Sequence, residues 1–339
     1  MSDPNASETM TSIAPPRESS SRVAAPLYGP FYGLTDPPFD LTPNPRFVFV
    51  AGAHREVLSN LRYALATSKG FTLILGEAGT GKTTLVRTAL AGLADTPNRY
   101  ALVSNPTLAR EEFYEFLTHE FGLSDAASRS KTRFLAELQA DVEGRFAAGG
   151  LTGLIVDEAQ SMPHDLLEEI RLLGNIETST TKLLNIVLCG QPELADRLNE
   201  QSLRQLKQRV ALRCELRPLT LGETASYVSG RLRIAGGSPA HIFTRDAVVA
   251  AYEGSRGIPR TVNVICDNAL LNGYARQIKP VSVEVVKEVC RDFDLHPEAA
   301  LADQPSPRLA TPEPAAPAVT PGASTSLAPR SKRRFSFFS

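Results

Sequence analysis

The chain has 339 residues, 42% of them hydrophobic, and a formal net charge of −1. That length supports a sizeable core and about two domains, and the near-neutral balance excludes a surface built wholly for polyanions. No run reaches the ~20 apolar residues of a membrane helix and the N-terminus lacks the apolar core of a secretory signal, so a soluble, cytoplasmic chain is expected.

Residues 1–28 are rich in Ser, Pro and Ala and are expected to be disordered, because they cannot bury enough apolar surface to offset chain entropy. In "HREVLSNLRYALATSK", Leu58, Leu61 and Leu65 share one helical face. "FTLIL" (71–75) reads as a strand, as do "YALVS" (100–104), "GLIVD" (153–157), "NIVLCG" (185–190) and "LRCEL" (212–216). Several are continuous apolar runs, which marks strands covered on both faces. The helical patterns "LAREEFYEFLTHEF" and "SKTRFLAELQADVEGRF" fall between them. Such alternation predicts an α/β fold with a parallel sheet sandwiched by helices, over residues 29–218.

After Pro218 the strands stop. Thr220 and Glu223 have capping-box spacing, and they open "ETASYVSGRLRIAGG", which Gly236 and Gly237 close. Helical segments follow near 244–253, 259–276 and 282–292, with Val262, Ile265 and Ala269 in helical register. Residues 219–293 are thus expected to form a small all-α domain. The remainder, 294–339, is Ala/Pro/Thr/Ser-rich and is expected to be a disordered tail; it ends in the basic-aromatic "SKRRFSFFS". Cys189, Cys214, Cys266 and Cys290 form no C-x-x-C pair and read as buried thiols of a reducing cytosol, not disulfides or metal ligands.

Between the first strand and the next helix lies "GEAGTGKTT": Gly76, Glu77, Ala78, Gly79, Thr80, Gly81, Lys82, Thr83 and Thr84. This is the G-x-x-x-x-G-K-[ST] pattern in the strand–helix context it requires. Glycines let backbone N–H groups turn toward an anion, and the following helix adds the positive end of its dipole. Lys82 is expected to reach the β- and γ-phosphates of ATP, and Thr83 to ligate Mg²⁺. "GLIVDEAQ" ends an apolar strand on Asp157 and Glu158. Asp157 is expected to hold the Mg²⁺ shell and Glu158 to polarise a water for attack on the γ-phosphate. The presence of both carboxylates favours hydrolysis over binding alone.

These two motifs, the helical domain and "GIPR" within it resemble the AAA+ ATPases of the P-loop NTPase class, whose helical part is a lid. "FYGLTDPPFDLTPNPRFVFVAGAHREVLSNLRYAL", "LCGQPEL", "LKQRVALRCELRPLTLGETASYVSGRL" and "GIPRTVNVICDNALL" are similar to the general secretion pathway protein A (ExeA-like) group. The resemblance implies further roles. Gln191 would be the polar sensor of the γ-phosphate, or else an ordinary loop glutamine. Arg209 would be the finger reaching a neighbouring subunit's nucleotide, with Arg204 as the alternative. Arg260 would be a second sensor at the start of a lid helix, with Gly257 and Pro259 setting the turn before it. Phe47, Phe49, His54 and Arg55 border the base in such ATPases, although alternating Phe reads first as core and His54 as a helix-start residue.

The resemblance also implies a homo-oligomer acting on a protein partner in an envelope secretion or polysaccharide-export assembly, from the cytoplasm or peripherally at the inner membrane. Relatives in that group continue into a membrane helix and a peptidoglycan-binding part. Here the tail stands in their place, so wall binding is not expected. "SKRRFSFFS" reads first as a frayed end and second as a contact with an anionic membrane surface or a partner groove. The alternative function is a nucleotide-switched DNA-binding ATPase of the transposition target-selection type. Its local support is the window 197–217, where Arg197, Arg204, Lys207, Arg209, Arg213 and Arg217 face only Glu200 and Glu215.

Overall fold

The computed structural model describes residues 26–42, 45–47, 52–93 and 97–295. Of the expected tails, 1–28 and 294–339, residues 1–25 and 296–339 lie outside the described residues, as does Phe49; Tyr28, expected in the first tail, is instead buried. A short helical turn, α1 (Gly29–Tyr32), precedes α2 (Gly52–Ala66), β1 (Phe71–Gly76) and α3 (Lys82–Ala91). Next come β2 (Arg99–Val103), α4 (Arg110–Phe121), α5 (Asp125–Ser128) and α6 (Lys131–Ala147). They lead to β3 (Thr152–Val156), α7 (His164–Leu173), β4 (Leu184–Gly190), α8 (Pro192–Asn199), α9 (Arg204–Gln208) and β5 (Val210–Leu216). The remaining elements are helical: α10 (Leu221–Ile234), α11 (Pro239–Ile242), α12 (Arg245–Ser255), α13 (Pro259–Ala275) and α14 (Val283–Asp292).

The five strands form one parallel sheet in the order β2-β3-β4-β1-β5. Side chains alternate across a strand, and both faces of this sheet are covered. Phe71, Leu73 and Leu75 of β1 point into a core with Phe113 and Leu117 of α4, Phe134 and Leu138 of α6, and Leu166 and Ile170 of α7. Ile74 points to the other side, against Leu61 and Leu65 of α2 and Leu85 and Val86 of α3. β1 therefore carries no polar face, and every residue in it is buried. The chain leaves β1 for β2 at the far edge and only later fills β4 and β5 on either side of β1. This is a topological switch point, and crevices at the carboxyl ends of strands there bind ligands.

The helical domain has its own core of Val228, Leu232, Ile242, Ala251, Val262, Ile265, Leu270, Val286 and neighbours. Thr220 accepts from the Glu223 N–H, and the Glu223 carboxylate accepts from the Thr220 N–H at 2.9 Å, which closes the expected capping box. The segment before α2 packs into this helical core rather than against the sheet: Tyr28, Tyr32, Leu34, Phe39 and Phe47 are all part of it. Tyr28 donates to the Asp267 carboxylate, Tyr32 to Ile278 O at 3.1 Å, Thr35 to Ala235 O at 3.0 Å, and the buried Arg231 to Pro38 O. All four cysteines are buried free thiols. Among the described residues, no helix is long and apolar enough to cross a membrane.

Candidate nucleotide site

In strand order β3, β4 and β1 are consecutive, so the segments leaving their carboxyl ends lie side by side. Those segments carry Asp157 and Glu158, then Gln191, then the glycine-rich loop. Gly79 (φ +80°) and Gly81 (φ +98°) adopt left-handed backbone, which residues with a Cβ rarely enter. A Cβ on Gly79 would meet the Arg260 Cβ at 2.8 Å. Gly81 caps α3, so the first-turn N–H groups of that helix face the loop without intrahelical partners.

Lys82 opens α3 and is buried, at 4% exposure. Its Nζ donates to Gly76 O at 2.7 Å and Glu77 O at 3.1 Å. It forms no ion pair among the described residues. A buried ammonium is costly without an anion, so its surroundings fit a phosphate. Thr83 donates through its hydroxyl to the Asp157 carboxylate, placing one hydroxyl and one carboxylate together beside the loop. Mg²⁺ suits this small donor set, because it keeps several waters and takes its remaining ligands from substrate phosphates.

Glu158 follows β3 in left-handed conformation (φ 51°), a strain of about 1 kcal/mol of the kind that gathers at functional sites. Its Oε2 accepts from Gln160 Nε2 at 2.6 Å and Gln191 Nε2 at 3.3 Å. Burial pushes its carboxyl pKa up, but the two amide donors and the Lys82 charge outweigh that and hold it below its ordinary value.

A cleft of about 410 Å³ runs from this cluster to the helical domain. Gly79, Lys82, Thr83, Glu158 and Arg260 line it together with Asp40, Leu41, Phe47, Leu219, Tyr227, Arg231 and Asn263. The cleft thus combines the loop's phosphate-binding groups with Leu41, Phe47 and Leu219 as apolar wall, and its volume is within the usual range of ligand cavities. Tyr227 donates to Asn263 Oδ1 at 2.8 Å and accepts from Arg231 at 2.7 Å; the guanidinium also lies over the Phe47 ring. Sequence reasoning missed Tyr227, Arg231 and Asn263, because on helices α10 and α13 they read as ordinary face residues.

Among the expected base neighbours, Phe47 is both core and cleft wall. Arg55 is exposed and does not line the cleft. His54 is buried, with Nε2 3.1 Å from Thr80 O. A carbonyl only accepts, so Nε2 carries the proton. Arg260 is exposed at the start of α13, and its backbone N–H donates to Gly79 O at 3.2 Å, so the helical domain touches the loop directly. Gly257 (φ +74°) makes the turn before α13; a Cβ there would strike Leu219 O at 1.9 Å.

Arg209 stands apart from the cluster. It immediately precedes Val210, which pairs with Phe71 at the start of β1. The loop follows the other end of β1, roughly 17 Å away at ~3.3 Å per residue. Its guanidinium donates to Arg171 O at 3.0 Å. Arg204 is exposed on α9.

A parallel sheet in this order, the loop after β1 and a helical domain closing over it define a P-loop NTPase fold of the AAA+ kind, and residues 65–198 match the AAA domain family. Over 250 residues, 74% of the chain, the sequence is 39% identical to General secretion pathway protein A of Aeromonas hydrophila; the chain spans 45% of that relative's length. The fold is shared with the ORC2 protein of Aeropyrum pernix in its ADPNP-ADP complexes, at TM-score 0.57 and 18% identity, covering 75% of this chain and 70% of that one. It is shared equally with Cdc6p from Pyrobaculum aerophilum, at TM-score 0.58 and 16% identity, covering 75% and 70%.

Proposed function

We propose that the chain binds and hydrolyses ATP with Mg²⁺ and passes the change of nucleotide state to a partner through its helical lid. The observation that carries this reading is the buried Lys82 ammonium, in no ion pair among the described residues, beside the paired Thr83 and Asp157 and within the field of Glu158. Lys82 and the loop N–H groups bind the phosphates and draw off their charge. Thr83 and Asp157 would hold Mg²⁺, which neutralises charge on the phosphate oxygens and aligns them for in-line displacement. Glu158 takes the proton of the attacking water, and Gln191 orients that water against the γ-phosphate. Arg260 follows the γ-phosphate from the lid side, so loss of that phosphate on hydrolysis removes one tie between α13 and the nucleotide while the backbone bond to Gly79 O remains.

Arg209 lies a strand length from its own loop and is assigned to a neighbouring subunit's site, which makes the working form a homo-oligomer. Arg204, exposed on α9, is the alternative. The likeness to General secretion pathway protein A supports an envelope-associated partner and a place at the cytoplasmic face of the inner membrane. A DNA-binding reading rests on Arg204, Lys207, Arg213 and Arg217, which are exposed. Arg197 and Arg209 of the same window are engaged with backbone carbonyls. DNA retention that weakens steeply with salt would favour it.

The binding half of the proposal is tested by Lys82→Ala. Equilibrium titration with a fluorescent ATP analogue should show affinity falling at least ~100-fold, as the loss of a charge-assisted contact predicts. Unchanged affinity would remove the loop from the site.

A further inference from the structure

Gln160 has no role in the reading above, yet it touches both groups that the reading places at the γ-phosphate. It sits in the 3₁₀ turn Ala159–Ser161 just after β3. Its Oε1 accepts from the Gln191 backbone N–H at 3.1 Å, and its Nε2 donates to Glu158 Oε2 at 2.6 Å. The orientation of the amide follows from chemistry alone. A backbone N–H can only donate, so the oxygen must face Gln191, and the nitrogen must then face the carboxylate. The main chain around it is pinned as well: Arg197 of α8 donates to Gln160 O and to Met162 O, the latter at 2.9 Å. Gly190, at the end of β4, leaves room for the amide, since a Cβ there would meet Gln160 Oε1 at 3.0 Å.

The consequence falls on Glu158. Both amide donors, from Gln160 and Gln191, converge on Oε2, and Oε1 accepts no hydrogen bond from the described residues. The carboxylate is therefore held by one oxygen with the other left for a water. The shorter of the two contacts comes from Gln160, not from the sensor candidate.

We propose that Gln160 is a positioning residue that fixes the Glu158 carboxylate to the end of β4, so that Glu158 and Gln191 are aligned as one unit toward the γ-phosphate. The proposal rests on the ATPase reading. It differs from a purely structural role, in which Gln160 matters only as the acceptor that satisfies the Gln191 N–H.

Two variants separate these roles. Gln160→Met removes both donor and acceptor at similar size. Gln160→Glu keeps an acceptor for the Gln191 N–H but removes the donor and sets a second carboxylate against Glu158. Positioning predicts that Q160M lowers kcat about 10-fold, the worth of one hydrogen bond to a charged group. It predicts that Q160E lowers kcat further, by at least about another 10-fold. KM and the affinity for a fluorescent ATP analogue should stay within about twofold of wild type in both. In an E158Q background, Q160M should lower the residual single-turnover rate by clearly less than it lowers that of wild type, because the base it positions is gone. A Q160E kcat equal to or above that of Q160M overturns the proposal, as does an undiminished Q160M effect in the E158Q background. A wild-type chain without turnover at any concentration would instead remove the ATPase reading, and this inference with it.

Discussion

Gly79 shows how a single residue sets the distance between two parts of the site. Its φ of +80° is one that a side chain resists, and a Cβ there would lie 2.8 Å from the Arg260 Cβ and 3.2 Å from the Ile258 Cγ2. Gly79→Ala therefore adds about 1 kcal/mol of backbone strain and pushes the lid helix off the loop. The expected outcome is an ATP affinity reduced about 10-fold or more, with global stability lowered by about the 1 kcal/mol of strain; titration calorimetry and a denaturation midpoint check the two halves. At this scale the sequence was informative where a residue's role depends on its neighbours along the chain. Gly76 to Thr84 form a contiguous pattern whose geometry the strand and helix on either side dictate. Gln160 was not legible, because its partners Glu158 Oε2 and the Gln191 N–H come together only once β3 and β4 pair.

At the scale of elements, α2 is tied to the phosphate loop through His54, whose imidazole donates to Thr80 O. Burial drives the His54 pKa below its ordinary value, against smaller opposing effects from that hydrogen bond and from Glu223. The folded chain thus binds fewer protons than the unfolded chain between the lowered pKa and the ordinary value of about 6.5. Stability is full above that pH and falls as the pH drops through the window. Denaturation midpoints compared at pH 7.5 and about 5.5 should show a smaller acid loss in His54→Gln than in wild type; an identical loss would contradict the assignment.

The strands were legible because buried parallel strands are continuous apolar runs, and each lies within a residue or two of its expected bounds. The helix α7 was not, although it buries Leu166, Leu167, Ile170 and Leu173. The placement of Tyr28, Tyr32 and Phe39 in the lid core was also not legible. Scattered aromatics before a helix have no period that says which core they join. Their hydrogen bonds to Asp267, Ile278 and Ala235 arise only in three dimensions.

The whole molecule raises the question of how one subunit's state reaches another. Arg209 immediately precedes β5, at the end of the sheet away from its own loop, so its proposed partner nucleotide belongs to another copy. Complementation checks this. Arg209→Ala should bind ATP yet turn over at least ~100-fold more slowly, at the lower end of what such arginines supply. Mixing it with E158Q, which keeps its own arginine, should restore part of the turnover, because some sites then combine an intact base with an intact finger. No recovery on mixing, with both variants shown to associate, would place the finger elsewhere, Arg204 being the next to test.

If Glu158 drives cleavage of an ATP held by the loop, the chemical state of the bound nucleotide depends on its carboxylate. Protein at self-associating concentration is loaded with γ-labelled ATP and Mg²⁺, quenched in acid over time, and the label partitioned between ATP and phosphate. Wild type should convert bound ATP to ADP and phosphate while Glu158→Gln retains it intact, with cleavage slowed at least ~100-fold. Equal cleavage by both proteins, or no ATP retained by either, would contradict this expectation.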